Sequence, residues 1–295
     1  MHETDTPAKP DSKSFNLDHH QQPRLTNRNA AAARRHLLGR TIGFSTDVGR
    51  HRDIDEDSVV AADILCSFGT DERRRVLLLV ADGMGGHNAG QVASATVARL
   101  VSGQMLSLLA TGDEISSTMY HEAIQRAIEG ANREVLRMAT DEPALEGMGT
   151  TMTLAVIDGN QLHLGHVGDS RVYVLNDESI RQVTKDHSYV QTLVDQGTIT
   201  AQQAKNHPDR NIVTRVVGYY EEERADVVSL SIEDNESMLV CCDGLTAHVR
   251  DEEIREIVLK SNDPQVACDE LVSLANRNGG TDNISVALAS PKTSA

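Results

Sequence analysis

Asp82 closes the apolar run Val76-Leu77-Leu78-Leu79-Val80-Ala81, and four of the next eight residues are glycine: Gly83, Gly85, Gly86 and Gly90. The pattern returns in SMLVCCDG (237–244), where Asp243 and Gly244 end a second apolar run. Asp282 stands just before NISVALA (283–289), Asp169 separates two strand-like runs in GHVGDSRVYV, and Glu56-Asp57 precede SVVAADIL. Each of these five acidic groups, Glu56-Asp57 counted as one, flanks a segment that reads as a core strand. Strand ends are rigid, so their side chains meet at one rim. Asp-Gly after a single strand is ordinarily a turn; it is the repetition that points to a shared site.

Gathered carboxylates raise one another's pKa unless a cation neutralises them. A donor set made only of oxygen suits Mg²⁺ or Mn²⁺. The glycines after Asp82 and Asp243 would let backbone approach an ion, with the Gly83 carbonyl as a further ligand. Two such ions, roughly 3.5–4 Å apart, activate a bridging water for attack on a phosphoryl group. Arg52, in TDVGRHRDIDEDS just ahead of Asp55, Glu56 and Asp57, supplies a planar guanidinium suited to bidentate phosphate binding.

The elements that must hold these residues follow from periodicity. TIGFST (41–46), SVVAADIL (58–65) and VLLLVA (76–81) read as strands. Helical spacing covers about Ala89–Leu109 and about Ser116–Ala139, the latter with Ile124, Ile128, Ala131, Val135 and Met138 on one face. Short strands then follow through hairpin signals at Asp158-Gly159-Asn160 and Asn176-Asp177-Glu178. SYVQTLVDQG reads as a short helix stopped by Gly197. Thr200 with Gln203 has capping-box spacing. Asp251 and Asp263 read as N-caps, with Pro264 at a first helical position. DVVSLSI, SMLVCC and NISVALA complete the strands. Hairpins rather than strict alternation with helices predict antiparallel sheets with helices packed outside.

Composition sets the limits. The chain has 295 residues, no tryptophan, 3% aromatics and a formal net charge of −16. Aliphatic side chains and alanine must fill the core. The acidic balance opposes general nucleic-acid affinity and with it a metal-dependent nuclease. No apolar run approaches the roughly 18 residues of a membrane span, and the N-terminus lacks a signal-peptide core. A cytoplasmic protein with no membrane partner is therefore expected. Residues 1–36 read as a flexible polar tail, with a helical turn in AAARRHLL at its end, and residues 37–291 as one domain. Cys66, Cys241, Cys242 and Cys268 show no zinc-ligand spacing, and Cys241 and Cys242, in the apolar run MLVCCDG, read as small buried hydrophobes.

The stretches TDVGRHRDIDEDS, VADGMGGHNAG, MGTTMTLAVI, HLGHVGDSRVYVL, TKDHSYVQTLVDQGTIT, NHPDRNIVTRVVG, LVCCDGLTAHV and GGTDNISV, in this order, resemble the metal-dependent serine/threonine protein phosphatases of the PPM, or type 2C, family in its bacterial form. The resemblance implies an α+β fold, a four-layer α-β-β-α sandwich of two central antiparallel β-sheets flanked by helices. It implies a metal set of Asp82, the Gly83 carbonyl, Asp243 and Asp282, with Glu56 and Asp57 binding directly or through water. Asp169 with Asp243 matches a third-ion site, so two or three Mn²⁺ or Mg²⁺ ions are implied. Arg52 matches the phosphate-binding arginine, and the catalytic residues are then Arg52, Asp82 and Asp243. Residues 186–210, including Asp186, His187 and Arg210, match a mobile flap. The implied partners are phosphorylated proteins, including a cognate Ser/Thr kinase and its substrates, acted on by a monomer.

Three departures from the family pattern stand out. Asp55 replaces a frequent asparagine, Cys242 a frequent serine, and Met84 a histidine found in animal members. The acid that protonates the leaving group is left open between water, His51 and His87; His163 and His166 read as partly buried strand residues. A non-catalytic phosphoprotein-binding module of the same fold would show loss of metal acids, and none is lost.

Overall fold

The computed structural model describes residues 40–69, 71–85 and 89–291. The expected tail, the turn in AAARRHLL, and His87 lie outside the described residues. Among the described residues, eleven strands form two antiparallel sheets. The first sheet has the order β1-β11-β10-β7-β8: Arg40–Asp47, Ile284–Pro291, Ser237–Cys241, Arg171–Leu175 and Ile180–Gln182. The second runs β2-β3-β5-β6-β9: Asp57–Phe68, Asp71–Met84, Met152–Asp158, Gln161–Val167 and Asp226–Ser231. The short β4, Gly149–Thr150, pairs with the end of β3.

The two-residue period of a strand builds the layers. In β3, Leu77, Leu79 and Ala81 face helices α1 (Ala89–Leu109) and α2 (Ser117–Asp141). Val76, Leu78 and Val80 face the other sheet, against Val172, Val174, Met238, Val240, Ala287 and Ala289. On the far side, Leu239, Cys241, Val286 and Leu288 meet helices α6 (Asp251–Lys260) and α7 (Pro264–Arg277). Helices, sheet, sheet, helices: the four layers expected are present. β3 is apolar on both faces because each face is covered, which is why it reads as a continuous run.

Local signals set most boundaries. Ser116 caps α2, its side chain accepting from the Met119 amide. Helix α3 is Tyr189–Asp195, followed by Gly197 at φ +68°; α4 is Ala201–Ala204, with the Thr200–Gln203 capping box formed. Asp263 caps α7, with Pro264 in its first turn. Asp251 corrects its expectation. Arg250 holds the N-cap position, its amide donating to the Glu253 carboxylate (3.1 Å), and Asp251 is the first helical residue. The acid still faces the positive end of the helix dipole, so its type did not settle its position.

Helix α1 brings a second correction. Its length and mean hydropathy of 1.3 make it apolar enough to cross a membrane. Alanine, serine and threonine interrupt its apolar residues, so no long run is visible although the average is high. Ala93, Val97, Val101 and Met105 lie in the core beneath β3.

A candidate metal centre at one end of the inter-sheet layer

The inward-facing column of each central strand is apolar for most of its length and turns acidic or polar at one end. In β3 the column Val76, Leu78, Val80 continues to Asp82. In β2, Val59 and Ala61 lie on the column that begins with Asp57. In β10, Met238 and Val240 lead to Cys242, and in β11, Ala287 and Ala289 share their parity with Ser285. Asp57 and Asp82 are direct cross-strand partners. Asp243 opens the short helix α5, Asp243–Thr246. Asp282 precedes β11, and Asp169 lies between β6 and β7. The acids read from the sequence therefore converge from both sheets.

The loops that carry them are fixed by hydrogen bonds. Asn283 is the hub: its Oδ1 accepts from the Glu56 amide (2.9 Å), and its Nδ2 donates to the carbonyls of Val48 (3.0 Å) and Ile54 (2.9 Å). It ties the 48–56 loop, with Arg52, to the start of β11. Sequence reading passed over Asn283, although its place beside Asp282 in GGTDNISV was a usable signal. Ser94 Oγ donates to the Glu56 carbonyl (2.6 Å). The Asp82 amide donates to Thr151 Oγ1 (3.0 Å), and Thr150 Oγ1 donates to the Asp82 carbonyl (2.8 Å). Asp55 accepts from Thr46 Oγ1 (2.7 Å) and the Asp57 amide (3.1 Å), so it closes the turn before β2.

The glycines bring chain segments together. A Cβ on Gly83 would lie 2.2 Å from the Gly90 carbonyl oxygen and 2.5 Å from that of Glu56. One on Gly244 would lie 1.9 Å from the Asn283 oxygen. Backbone passes here at distances only glycine permits.

The electrostatics are those of carboxylates confined together. Burial, reinforced by the charges of Asp55 and Asp243, pushes Asp57 up to about 7. Burial and then the charges of Asp57, Asp243, Asp169 and Asp282 hold Asp82 well above the carboxylate range. Asp169 is raised by burial and then by Asp243, and Asp243 by burial and then by Asp282. Glu56 is raised by burial. Both carboxylate oxygens of Asp57 and Oε1 of Glu56 are buried without a hydrogen-bond partner. Such oxygens are costly to leave unpaired. Buried, unpaired carboxylate oxygens beside further acids fit a hard divalent cation, so the residues present pass the test for Mn²⁺ or Mg²⁺.

Arg52 reaches the same end of the molecule. Its Nη2 donates to Asp282 Oδ2 at 2.8 Å, its side chain is 49% exposed, and Glu56 and Asp82 add to the field that raises its pKa. The flap residues are placed differently from one another. Asp186 is half-buried in a bidentate pair with Arg171 and lies near Asp169. The His187 amide donates to the Gly168 carbonyl (2.7 Å), and its Nδ1 accepts from the Gly168 amide (3.0 Å), which clamps the residue before Asp169. Arg210 is exposed and makes no ion pair among the described residues. His51 is exposed on the site loop. His163 and His166 are buried more deeply than expected, each 2% exposed. His163 stacks on Tyr120, while His166 bonds Thr153 (2.9 Å) and the Lys185 carbonyl (3.2 Å).

Residues 60–276 match the family described as protein phosphatase 2C. The chain belongs to the protein phosphatase 2C family. It is 36% identical over 247 residues to the serine/threonine phosphatase stp of Listeria innocua, covering 83% of this chain and 93% of that protein. It is 37% identical over 246 residues to the serine/threonine protein phosphatase PstP of Mycobacterium tuberculosis, covering 83% of this chain but 43% of PstP. The crystal structure of the M. tuberculosis phosphatase PstP/Ppp superposes with a TM-score of 0.75 at 35% identity, over 86% of this chain and all of that one. The catalytic domain of PstP in complex with 2 manganese ions gives a TM-score of 0.72 at 35% identity, over 86% of this chain and 99% of that one.

Proposed function

We propose that this chain is a serine/threonine protein phosphatase that hydrolyses phosphoserine and phosphothreonine in proteins at a dinuclear Mn²⁺ or Mg²⁺ centre. One observation carries the reading: the carboxylates of Asp57, Asp82, Asp169 and Asp243, with both Asp57 oxygens buried and unpaired, converge beside the half-exposed guanidinium of Arg52. Asp82, the Gly83 carbonyl, Asp243 and Asp282 would hold the ions, with Glu56 and Asp57 behind them and Asp169 joining Asp243 at a third position. When bound, the ions neutralise the carboxylates and lower the pKa of a water that attacks phosphorus.

The protein's own part is positioning. Arg52 is held by Asp282 at the rim, where its fork meets phosphate oxygens and stabilises charge that develops in transfer. Asn283 fixes the loop that aims it. A water or a nearby acid supplies the proton to the departing serine or threonine oxygen. The implied partners are phosphoproteins, among them a Ser/Thr kinase that the phosphatase opposes, and we place the active chain in the cytoplasm as a monomer with its catalytic domain at residues 37–291.

The test is phosphate release from a phosphothreonine peptide with added Mn²⁺. Chelation and Asp243→Asn should each abolish it. Activity that survives both would overturn the metal assignment.

A further inference from the structure

Cys242 occupies the last inward position of the β10 column, after Met238 and Val240, whereas its neighbour Cys241 faces the helical layer. The thiol is fully buried and free. Its sulfur and carboxylate oxygens of Asp57 and Asp82 all lie within 4.8 Å of one another. The sulfur accepts from the Ser285 amide at 3.1 Å, and the thiol donates to the Asn283 carbonyl at 3.4 Å. Both carboxylate oxygens of Asp57 are buried without a hydrogen-bond partner.

We infer that Asp57, Asp82 and Cys242 form a site for a thiophilic divalent cation, Zn²⁺ or Cd²⁺, in competition with the hard-ion centre. Bond lengths of about 2.0–2.3 Å place tetrahedral zinc ligands roughly 3.3–3.8 Å apart, so three donors within 4.8 Å close on an ion by side-chain shifts of about 1 Å or less. On binding, the S–H bond breaks, a sulfur–metal bond forms and the proton leaves to solvent. The hydrogen bond to Asn283 is given up. The one from the Ser285 amide is kept, and it stabilises the thiolate. Serine at position 242 would offer a hard, neutral hydroxyl; cysteine offers the ligand that Zn²⁺ and Cd²⁺ favour. The site uses Asp57 and Asp82, so a soft ion held there withdraws both from Mn²⁺.

The inference uses the carboxylates of the proposed metal centre but does not need phosphatase activity. The experiment is titration of the chelator-stripped full chain with Cd²⁺ alone, read as thiolate-to-cadmium charge-transfer absorption. Three proteins are compared: the parent, Cys242→Ser, and a variant with Cys66, Cys241 and Cys268 all changed to serine. One equivalent of Cd²⁺ should give the band in the parent and in the variant that keeps only Cys242, and none in Cys242→Ser. Asp57→Ala in the single-cysteine background should weaken Cd²⁺ binding by about tenfold or more. A silent single-cysteine variant, a band unchanged in Cys242→Ser, or undiminished binding in Asp57→Ala would overturn the site. A chain that shows the band but releases no phosphate from a phosphopeptide would leave this inference standing and sink the phosphatase reading instead.

Discussion

Asp57 and Asp82 stand opposite each other on neighbouring strands, two carboxylates in one inward-facing cross-strand pair. Like charges so placed oppose folding. Without metal, Asp57→Asn should therefore stabilise the fold by about 1–2 kcal/mol, as trade-offs at functional sites commonly do. Urea midpoints in chelator measure it. With saturating Mn²⁺ the advantage should shrink, because the ion supplies the neutralisation to the parent. An asparagine variant no more stable than the parent in chelator would show that this pair is not strained.

Arg52→Ala should lower kcat/KM on a phosphothreonine peptide by about 10²-fold, the usual loss for one donor aimed at developing charge. Arg52→Lys should recover only part, because an ammonium cannot reproduce the planar fork. The Arg52–Asp282 pair is half-exposed, so melting should move by no more than about 1 kcal/mol. A variant with parental kinetics would remove Arg52 from the site.

Gly244→Ala drives a Cβ into the Asn283 carbonyl and should cost about 2–3 kcal/mol through overpacking. Gly103→Ala, in the exposed middle of α1 with open space around it, should instead stabilise by about 0.5–1 kcal/mol through helix propensity. Chemical unfolding of both variants gives the comparison, and equal effects would refute the close-approach argument.

His163 and His166 are each pushed down to about 4, His163 mainly by burial with the nearby His121 charge, His166 by burial and then His187. A histidine lowered in the folded state contributes stability that is full above its ordinary value near 6.5. That contribution is lost as pH falls through 6.5 toward 4, because the unfolded chain takes the proton first. The loss should be on the order of 2–3 kcal/mol per residue at most. Urea midpoints at pH 7 and pH 5 should fall less in His163→Gln than in the parent. Parallel falls would mean that other groups govern acid unfolding.

The segment 184–203, TKDHSYVQTLVDQGTITAQQ, carries α3 and most of α4, and its Tyr189 is 40% exposed. We propose that it gates protein substrates. Replacing it by a short glycine linker should then reduce phosphoprotein turnover more than turnover of p-nitrophenyl phosphate. Equal losses would reject a gating role.

Much of this was legible along the chain. The bounds of α1, the Thr200–Gln203 box, the Asp263 cap and the doubly buried β3 follow from spacing within one or two turns or strands. The acids were legible as types because each sits where an apolar run stops. Asn283 was not, because its role depends on reaching Val48, Ile54 and Glu56, all more than two hundred residues away in sequence. The full burial of His163 depends on Tyr120 from α2 stacking over it.

The amino-acid sequence by itself determined which segments become strands and helices, and that acids stand beside the ends of several core strands, because these depend on propensity and short-range periodicity. Only the tertiary structure decided that Asp57 faces Asp82, that Cys242 points toward them while Cys241 points away, and that Asn283 draws the Arg52 loop over the site. A strand shows alternate residues to opposite faces, so which face is inward depends on register with distant strands. That register is chosen by burying two apolar faces at once, and no local stretch of sequence contains the choice.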